Sequence, residues 1–168
     1  MDAAPTPLLE RLVDELVPGT ALDLACGAGR NALYLASVGW SVTAIDGAAA
    51  AIDLLRSRAA GLDLSIHAIV ADLEEPHFEI QPTWDLIMVC YYLQRNLFPR
   101  IRRGVRAGGV VLAIVHITEK GEEPSPKRAN PGELRSYFEG WEVLHDREGN
   151  PGDPAHRRSV AEIVARRV

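Results

Sequence analysis

An α/β fold built on one mostly parallel sheet is predicted by three observations in this 168-residue sequence. Strand-like apolar runs alternate with helix-like spacing over most of the chain, the signature of parallel strands joined by right-handed crossovers. One such strand passes directly through a glycine turn into a helix start, at Asp23-Leu24-Ala25-Cys26-Gly27-Ala28-Gly29-Arg30-Asn31. Near the end the rhythm breaks into two strand-like runs joined only by a loop. Those two must pair antiparallel, because a parallel return needs a crossover of about a dozen residues.

The elements follow in order. A helix is expected from Pro7 to Val17, capped by Thr6, with Leu8, Leu9, Leu12, Val13, Leu16 and Val17 as one apolar stripe, stopped by Pro18-Gly19. The first strand, Ala21 to Ala25, leads through the glycine turn into a helix reaching Val38. Gly39 ends that helix, and Trp40 to Ile45 is a β-branched strand finishing at Asp46. Ala48 to Ala59 is helical with Ile52, Leu54 and Leu55 apolar, and Gly61 terminates it. Leu64 to Val70 is the third strand, followed by Ala71-Asp72-Leu73.

The second half repeats the alternation. Trp84 to Tyr91 is apolar enough for a strand buried on both faces. A helix from Gln94 to Val105, the pair Gly108-Gly109 and a strand from Val110 to Ile117 come next. Thr118 to Pro131 is charged and carries prolines, a surface loop long enough to act as a lid. A helix over Gly132 to Phe138 precedes the closing strands, Trp141 to His145 and Ser159 to Ala165, with Arg147 to Arg158 as their connector. Seven strands result, in a chain short enough to be one domain, 1–168.

Composition excludes several classes of function. A chain that is 47% hydrophobic and 24% charged, with net charge -5, is an ordinary globule without an electrostatic reason to bind nucleic acid. Arg95, Arg100, Arg102, Arg103 and Arg106 are read as a solvated helix face rather than a basic patch. Cys26 and Cys90 lie in no metal-ligand or disulfide spacing, so no metal is expected and a reducing compartment fits. The amino terminus has acids where a leader needs basic residues, and no run is long enough to span a membrane. The cytoplasm is the expected location.

Three acids fall at comparable places: Asp23 near the end of the first strand, Asp46 ending the second, and Asp72 two residues past the third. In open parallel sheets ligands bind outside the carboxyl ends of the strands. The acids and the glycine turn therefore belong to one ligand-binding edge.

The stretch from Asp23 to Asn31, then Asp46, Ala71-Asp72-Leu73, Trp84-Asp85-Leu86-Ile87 and Arg106-Ala107-Gly108-Gly109-Val110 resembles the successive motifs of class I S-adenosylmethionine-dependent methyltransferases. The CGxGRN turn, the Cys90-Tyr91-Tyr92-Leu93 run and the short first helix are most similar to the small tellurite-resistance and thiopurine-type branch. The resemblance implies a Rossmann-like fold and methyl transfer to a small-molecule acceptor, such as a thiol or a chalcogen, with S-adenosylhomocysteine as product.

It also implies roles. Asp23 would help hold the methionyl amino end, beside Ala25, Cys26, Gly27 and Gly29, and Arg30 would meet its carboxylate. Asp46, followed by Gly47, would accept both ribose hydroxyls, since a carboxylate offers paired acceptors. Asp72 would take the adenine amino group with the Leu73 backbone facing the ring. Cys90 and Tyr91 would border the sulfonium. Tyr91 and Tyr92 have aromatic faces that attract cations, Arg95 and Asn96 could face the acceptor, and His116 is the single best general base.

Two departures stand out. Gly47-Ala48-Ala49 offers no Ser or Thr to cap the helix after Asp46, which leaves that helix start less well fixed. Cys90-Tyr91-Tyr92-Leu93 is not the Pro-Pro-aromatic signature of enzymes that methylate amino groups on bases or glutamine, which counts against those substrates.

Two other readings remain. Gly27 to Ala32 also satisfies G-x-G-x-x-A with Asp46 at the spacing of a ribose acid, as in an NAD(P)-binding protein. Asp23, four residues before Gly27, would repel a pyrophosphate, and Asp72 and the terminal hairpin favour the methyl donor. The other is a non-catalytic S-adenosylmethionine-binding protein, which the same residues would serve.

Overall fold

The computed structural model describes residues 3–81 and 83–168. Met1 and Asp2, with which the leader reading begins, lie outside the described residues. Among the described residues twelve elements follow in the predicted order: α1 (Pro7–Val13), β1 (Thr20–Leu24), α2 (Arg30–Ser37), β2 (Ser41–Asp46), α3 (Ala49–Gly61), β3 (Ile66–Val70), β4 (Trp84–Cys90), α4 (Leu97–Gly104), β5 (Val105–His116), α5 (Glu133–Ser136), β6 (Glu142–Gly149) and β7 (Val160–Arg166). The sheet order is β3-β2-β1-β4-β5-β7-β6. Strands β1, β2 and β3 pair parallel, as do β4 and β5, whereas β7 runs antiparallel to both β5 and β6. The chain divides into two compact units, Met1–Phe78 and Glu79–Val168.

In the first unit Leu9, Leu22, Leu24, Leu35, Ile52 and Leu55 are completely buried. Each such side chain removed from water contributes about 1.5–3 kcal/mol, which outweighs the weak local signals at the helix ends. Helix α1 is one turn shorter than its spacing predicts. Residues before a proline avoid the helical region, and Val17, next to Pro18, is 87% exposed instead of completing the stripe. Thr6 does not cap α1 with its side chain. Its N–H donates to Asn31 Oδ1 at 2.8 Å, and Asn31 Nδ2 donates to Thr6 Oγ1 at 3.2 Å. Both residues are buried, so the amino-terminal segment is tied to the first turn of α2.

In the second unit Leu86, Ile87, Met88, Leu97, Phe98 and Phe138 form the fully buried centre. Strand β5 begins at Val105 and runs through Gly108 and Gly109, rather than starting after them. Between the pairs Trp84↔Val105 and Leu86↔Val110, β4 advances two residues and β5 five. A side chain at 109 would press on Val105 and on the Trp84 carbonyl at about 3.0 Å, so the bulge demands glycine there. Strand β6 extends to Gly149, past the predicted end at His145, because its charges find partners. Arg147 and His145 both bond Glu162 of β7, which is 5% exposed, at 2.9 and 2.8 Å. An edge strand carries such charges where a central one could not.

The arginines of α4 and its surroundings diverge to separate partners. Arg95 bonds Glu133 and the carbonyls of Pro126 and Arg128; Arg102 bonds the carbonyls of Tyr137 and Glu139; Arg103 pairs with Glu79 and Arg106 with Asp85. The loop after β5 is pinned rather than loose. Across its base Thr118 N–H donates to the Ala129 carbonyl and Ala129 N–H to the His116 carbonyl, Glu122 accepts from Arg158 at 2.6 Å, and Glu119 accepts the Ser159 N–H.

Candidate functional site

The first unit places its candidate residues at the carboxyl ends of β1, β2 and β3. After Leu24 the chain turns sharply, with Ala25, Gly27 and Gly29 all in the left-handed region at φ 55°, 57° and 84°. Non-glycine residues seldom adopt that conformation, so Ala25 marks a backbone held by its surroundings. Cys26 N–H donates to the Ile45 carbonyl and Gly29 N–H to the Cys26 carbonyl, each at 3.0 Å, and these bonds close the turn. The two glycines serve different ends. A side chain at 27 would meet nothing within 4 Å, which leaves open space in front of the backbone, whereas one at 29 would collide with Leu55.

Asp46 closes the turn from the next strand. Its Oδ2 accepts the Gly27 N–H and its Oδ1 the Ala48 N–H, both at 2.8 Å. The second bond holds the N–H of Ala48, the residue just before α3, while the helix start itself carries no side-chain cap, as the absence of a Ser or Thr implies. Each carboxylate oxygen keeps a further lone pair for a ligand.

Asp23 is 2% exposed, and burial, with Asp46 adding to it and Arg30 opposing, pushes its carboxyl up to about 8. A buried cation beside it would restore the charged form. Arg30 also donates to the Ala4 carbonyl at 3.2 Å. Burial, then Asp23 and Asp46, drive the Cys26 thiol upward, so it is a neutral thiol bonded to the Gly27 carbonyl and not a nucleophile. A side chain at Gly47 would lie 3.7 Å from the Ala71 carbonyl. Asp72 Oδ1 accepts the Glu74 N–H at 2.9 Å, which shapes the turn after β3, and the Leu73 side chain is buried.

The second unit gathers a different group at the ends of β4 and β5. Half-buried Cys90 ends β4, and Tyr91 follows at φ 61°, its N–H donating to the Ile114 carbonyl at 2.7 Å. The His116 ring lies 5.6 Å from the Tyr91 ring. His116 Nδ1 is buried and has no hydrogen-bond partner among the described residues. Burial and then Arg158 hold this imidazole below its ordinary value, against the Ser159 backbone, so it stays neutral and basic at neutral pH.

Tyr92 and Asn96 are not part of that group. Tyr92 donates to Gln94 Oε1, and Gln94 Nε2 donates to Asn96 Oδ1, each at 2.7 Å. Asn96 is exposed, and Arg95 is committed to Glu133 and the loop carbonyls. Two residues that sequence reasoning missed join the Tyr91 group instead. The Tyr91 hydroxyl donates to Asp153 Oδ2 at 2.9 Å, and His156 stacks on the Tyr91 ring at 3.4 Å between centroids and 10° between planes. Asp153 sits between Pro151-Gly152 and Pro154, where an acid reads as a turn former, yet it is only 3% exposed.

The family profile described as tellurite resistance protein TehB matches residues 8–157. A probable S-adenosyl-L-methionine-dependent methyltransferase TehB from Haemophilus influenzae is 31% identical over 142 residues, covering 78% of this chain and 49% of that protein. The chain thus spans about half the length of the curated relatives it matches. The crystal structure of TehB from Haemophilus influenzae superposes with a TM-score of 0.82 at 24% identity, over 95% of this chain and 61% of that one. A structure described for the conversion of a disulfide bond into a thioacetal group during echinomycin biosynthesis gives 0.72 at 25% identity, over 98% and 82%. With a matched profile over most of its length and a relative above 30% identity, this chain belongs to the TehB family, whose profile is that of tellurite resistance protein TehB.

Proposed function

We propose that the protein is an S-adenosylmethionine-dependent methyltransferase acting on a small-molecule acceptor, with residues 1–168 as one methyltransferase domain. The observation that carries this reading is the pairing of Asp46 with the Gly27 N–H over open space, with Asp23 buried behind the same turn. Two carboxylates at a glycine turn suit a ligand with a cationic amino end and a ribose diol. They disfavour a pyrophosphate, because burial and then Asp46 already make negative charge at Asp23 costly. The comparisons support the same choice, since the curated relative bears the name of such an enzyme.

When bound, S-adenosylmethionine supplies an activated methyl group on a sulfonium centre and leaves as S-adenosylhomocysteine. Asp23, opposed by Arg30, would hold the ammonium. Asp46 would accept the ribose hydroxyls on its remaining lone pairs, and Asp72 would take the adenine amino group. The backbone of Ala25, Cys26, Gly27, Gly29, Gly47 and Leu73 lets the ligand approach closely. In the second unit the faces of Tyr91 would favour positive charge, with Cys90 beside it. His116 would take the acceptor's proton when the acceptor carries one; a thiolate or a chalcogen oxyanion such as tellurite needs no base. Among the described residues Cys26 and Cys90 form no disulfide, which supports a cytoplasmic location. Among the described residues no helix is long and apolar enough to cross a membrane.

Calorimetric titration with S-adenosylmethionine, S-adenosylhomocysteine and NAD tests the binding half. Preference for NAD overturns it. Consumption of the methyl donor against 2-mercaptoethanol, tellurite, catechol and benzylamine tests the transfer half, and tight binding without consumption would leave a non-catalytic binder.

A further inference from the structure

Helix α2 starts without a cap of its own. Its N-cap residue is Gly29, which has no side chain to bond the N–H groups of the first turn, and no acid stands in that turn to meet the helix dipole. Yet the start must be closely set, because the turn with left-handed Ala25, Gly27 and Gly29 runs straight into it. What holds it lies 25 positions earlier in the chain.

The segment before α1 bonds two successive residues of α2. Arg30 donates to the Ala4 carbonyl at 3.2 Å, the Thr6 N–H donates to Asn31 Oδ1 at 2.8 Å, and Asn31 Nδ2 donates to Thr6 Oγ1 at 3.2 Å. The first of these bonds is exposed, whereas Thr6 and Asn31 are 1% and 6% exposed, so water cannot replace the pair between them. Thr6 is anchored from its other side as well. Its carbonyl accepts the Leu9 and Glu10 N–H groups, and Leu8, Leu9, Leu12 and Val13 bury the helix that follows. Asparagine is a weak helix former, and here its amide is spent wholly on a partner outside its own helix.

We propose that Asn31 is a positioning residue for the methyl donor: by locking Thr6 to the first turn of α2, it holds the 25–30 turn in the shape that seats the donor's amino-acid end. The inference rests on the methyltransferase reading, in which Asp23 and Arg30 meet that end, and it stays within the first unit. Arg30 lies near enough to Asp23 for its charge to oppose the rise that burial gives that carboxyl. The two acids assigned to ribose and adenine have other supports, since Asp46 bonds the Ala48 N–H and Asp72 the Glu74 N–H. Loosening the Thr6–Asn31 lock therefore costs affinity for the amino-acid end and spares the nucleoside end.

Calorimetric titration of S-adenosylhomocysteine against 5′-methylthioadenosine, which keeps the nucleoside and the sulfur but lacks the amino-acid end, tests this in the parent, Asn31→Ala, Thr6→Val and Thr6→Ser. Folded Asn31→Ala loses both bonds, and its affinity for S-adenosylhomocysteine should fall about 5- to 20-fold while that for methylthioadenosine changes less than about twofold. Thr6→Val keeps the side-chain volume and the N–H bond but removes the hydroxyl, so it should show the same selectivity with a fall of about 3- to 5-fold even if Asn31→Ala does not fold. Thr6→Ser, which retains the hydroxyl, should stay within about twofold of the parent for both ligands. Urea unfolding confirms that each variant is folded. Equal falls for the two ligands, unchanged affinities in the folded variants, or a loss in Thr6→Ser as large as in Thr6→Val would each overturn the proposal and leave the pair a role in stability alone. A parent that binds neither adenosyl compound would instead overturn the methyltransferase reading beneath it.

Discussion

Asp46 and Gly27 are joined by a 2.8 Å bond from the Gly27 N–H to Asp46 Oδ2, so the carboxylate proposed to bind ribose also holds the glycine turn in shape. Asp46→Ala should therefore weaken S-adenosylhomocysteine binding by roughly 10- to 100-fold while costing only about 1 kcal/mol of stability, because the freed N–H groups are open to water. Calorimetry and urea unfolding on the same protein separate the two. An unchanged dissociation constant would remove Asp46 from the site.

Asp23 sets a pH dependence. Its folded value, about 8, lies above the unfolded 3.8, so across that window the native state holds a proton that the unfolded chain has lost. Stability must fall as pH rises through the window, and Asp23→Asn should flatten the slope. Urea midpoints from about pH 5 to about pH 8 report it. Binding of an ammonium beside Asp23 should release a proton near pH 6.5, seen as a dependence of the binding heat on buffer ionisation enthalpy.

The two glycines of the turn should behave oppositely. Gly29→Ala meets Leu55 as well as an unfavourable φ of 84°, and is expected to destabilise the fold by about 1–3 kcal/mol. Gly27→Ala has room for its methyl group and should cost about 1–2 kcal/mol from φ alone, with the larger effect on ligand binding. Equal losses of stability would show that the turn has only one role.

His116 should shape the acid limb of the rate profile. Burial and Arg158 lower its value, so the neutral base persists below the ordinary 6.5 and turnover of hydroxyl acceptors should decline only at lower pH. His116→Gln should abolish that limb while sparing tellurite. A profile that keeps its acid limb in the variant would make the histidine structural.

The 118–131 loop depends on the pair between Glu122 and Arg158. Arg158 draws Glu122 down to about 2, so the pair is intact above 4.5 and is lost only as pH falls through about 2. Arg158→Ala should raise amide exchange across Glu119 to Arg128 without shifting the core strands.

The strands, the parallel order and the terminal hairpin were legible because apolar runs and crossovers obey strong packing rules. Boundaries went astray where charge met an edge, as in β6, whose Asp146, Arg147 and Glu148 look like a loop until Glu162 is placed opposite. The glycine turn and its acids were readable as a local string of residues. Tyr91 and His116 lie on neighbouring strands, and register brought them together; Tyr92 and Asn96 shared the right segment, but bond to Gln94 instead. Asp153 and His156 were invisible because nothing in a polar loop reveals which residues will fold back onto a tyrosine so far earlier in the chain.

A chain chosen only for backbone ease would carry glycine or asparagine at position 91, where the left-handed conformation is nearly free to them. Keeping tyrosine there gives up some stability for a ring stacked on His156. Substitutions elsewhere that stabilise the fold should be tolerated until they relax this one residue, which makes position 91 the place where robustness and chemistry compete.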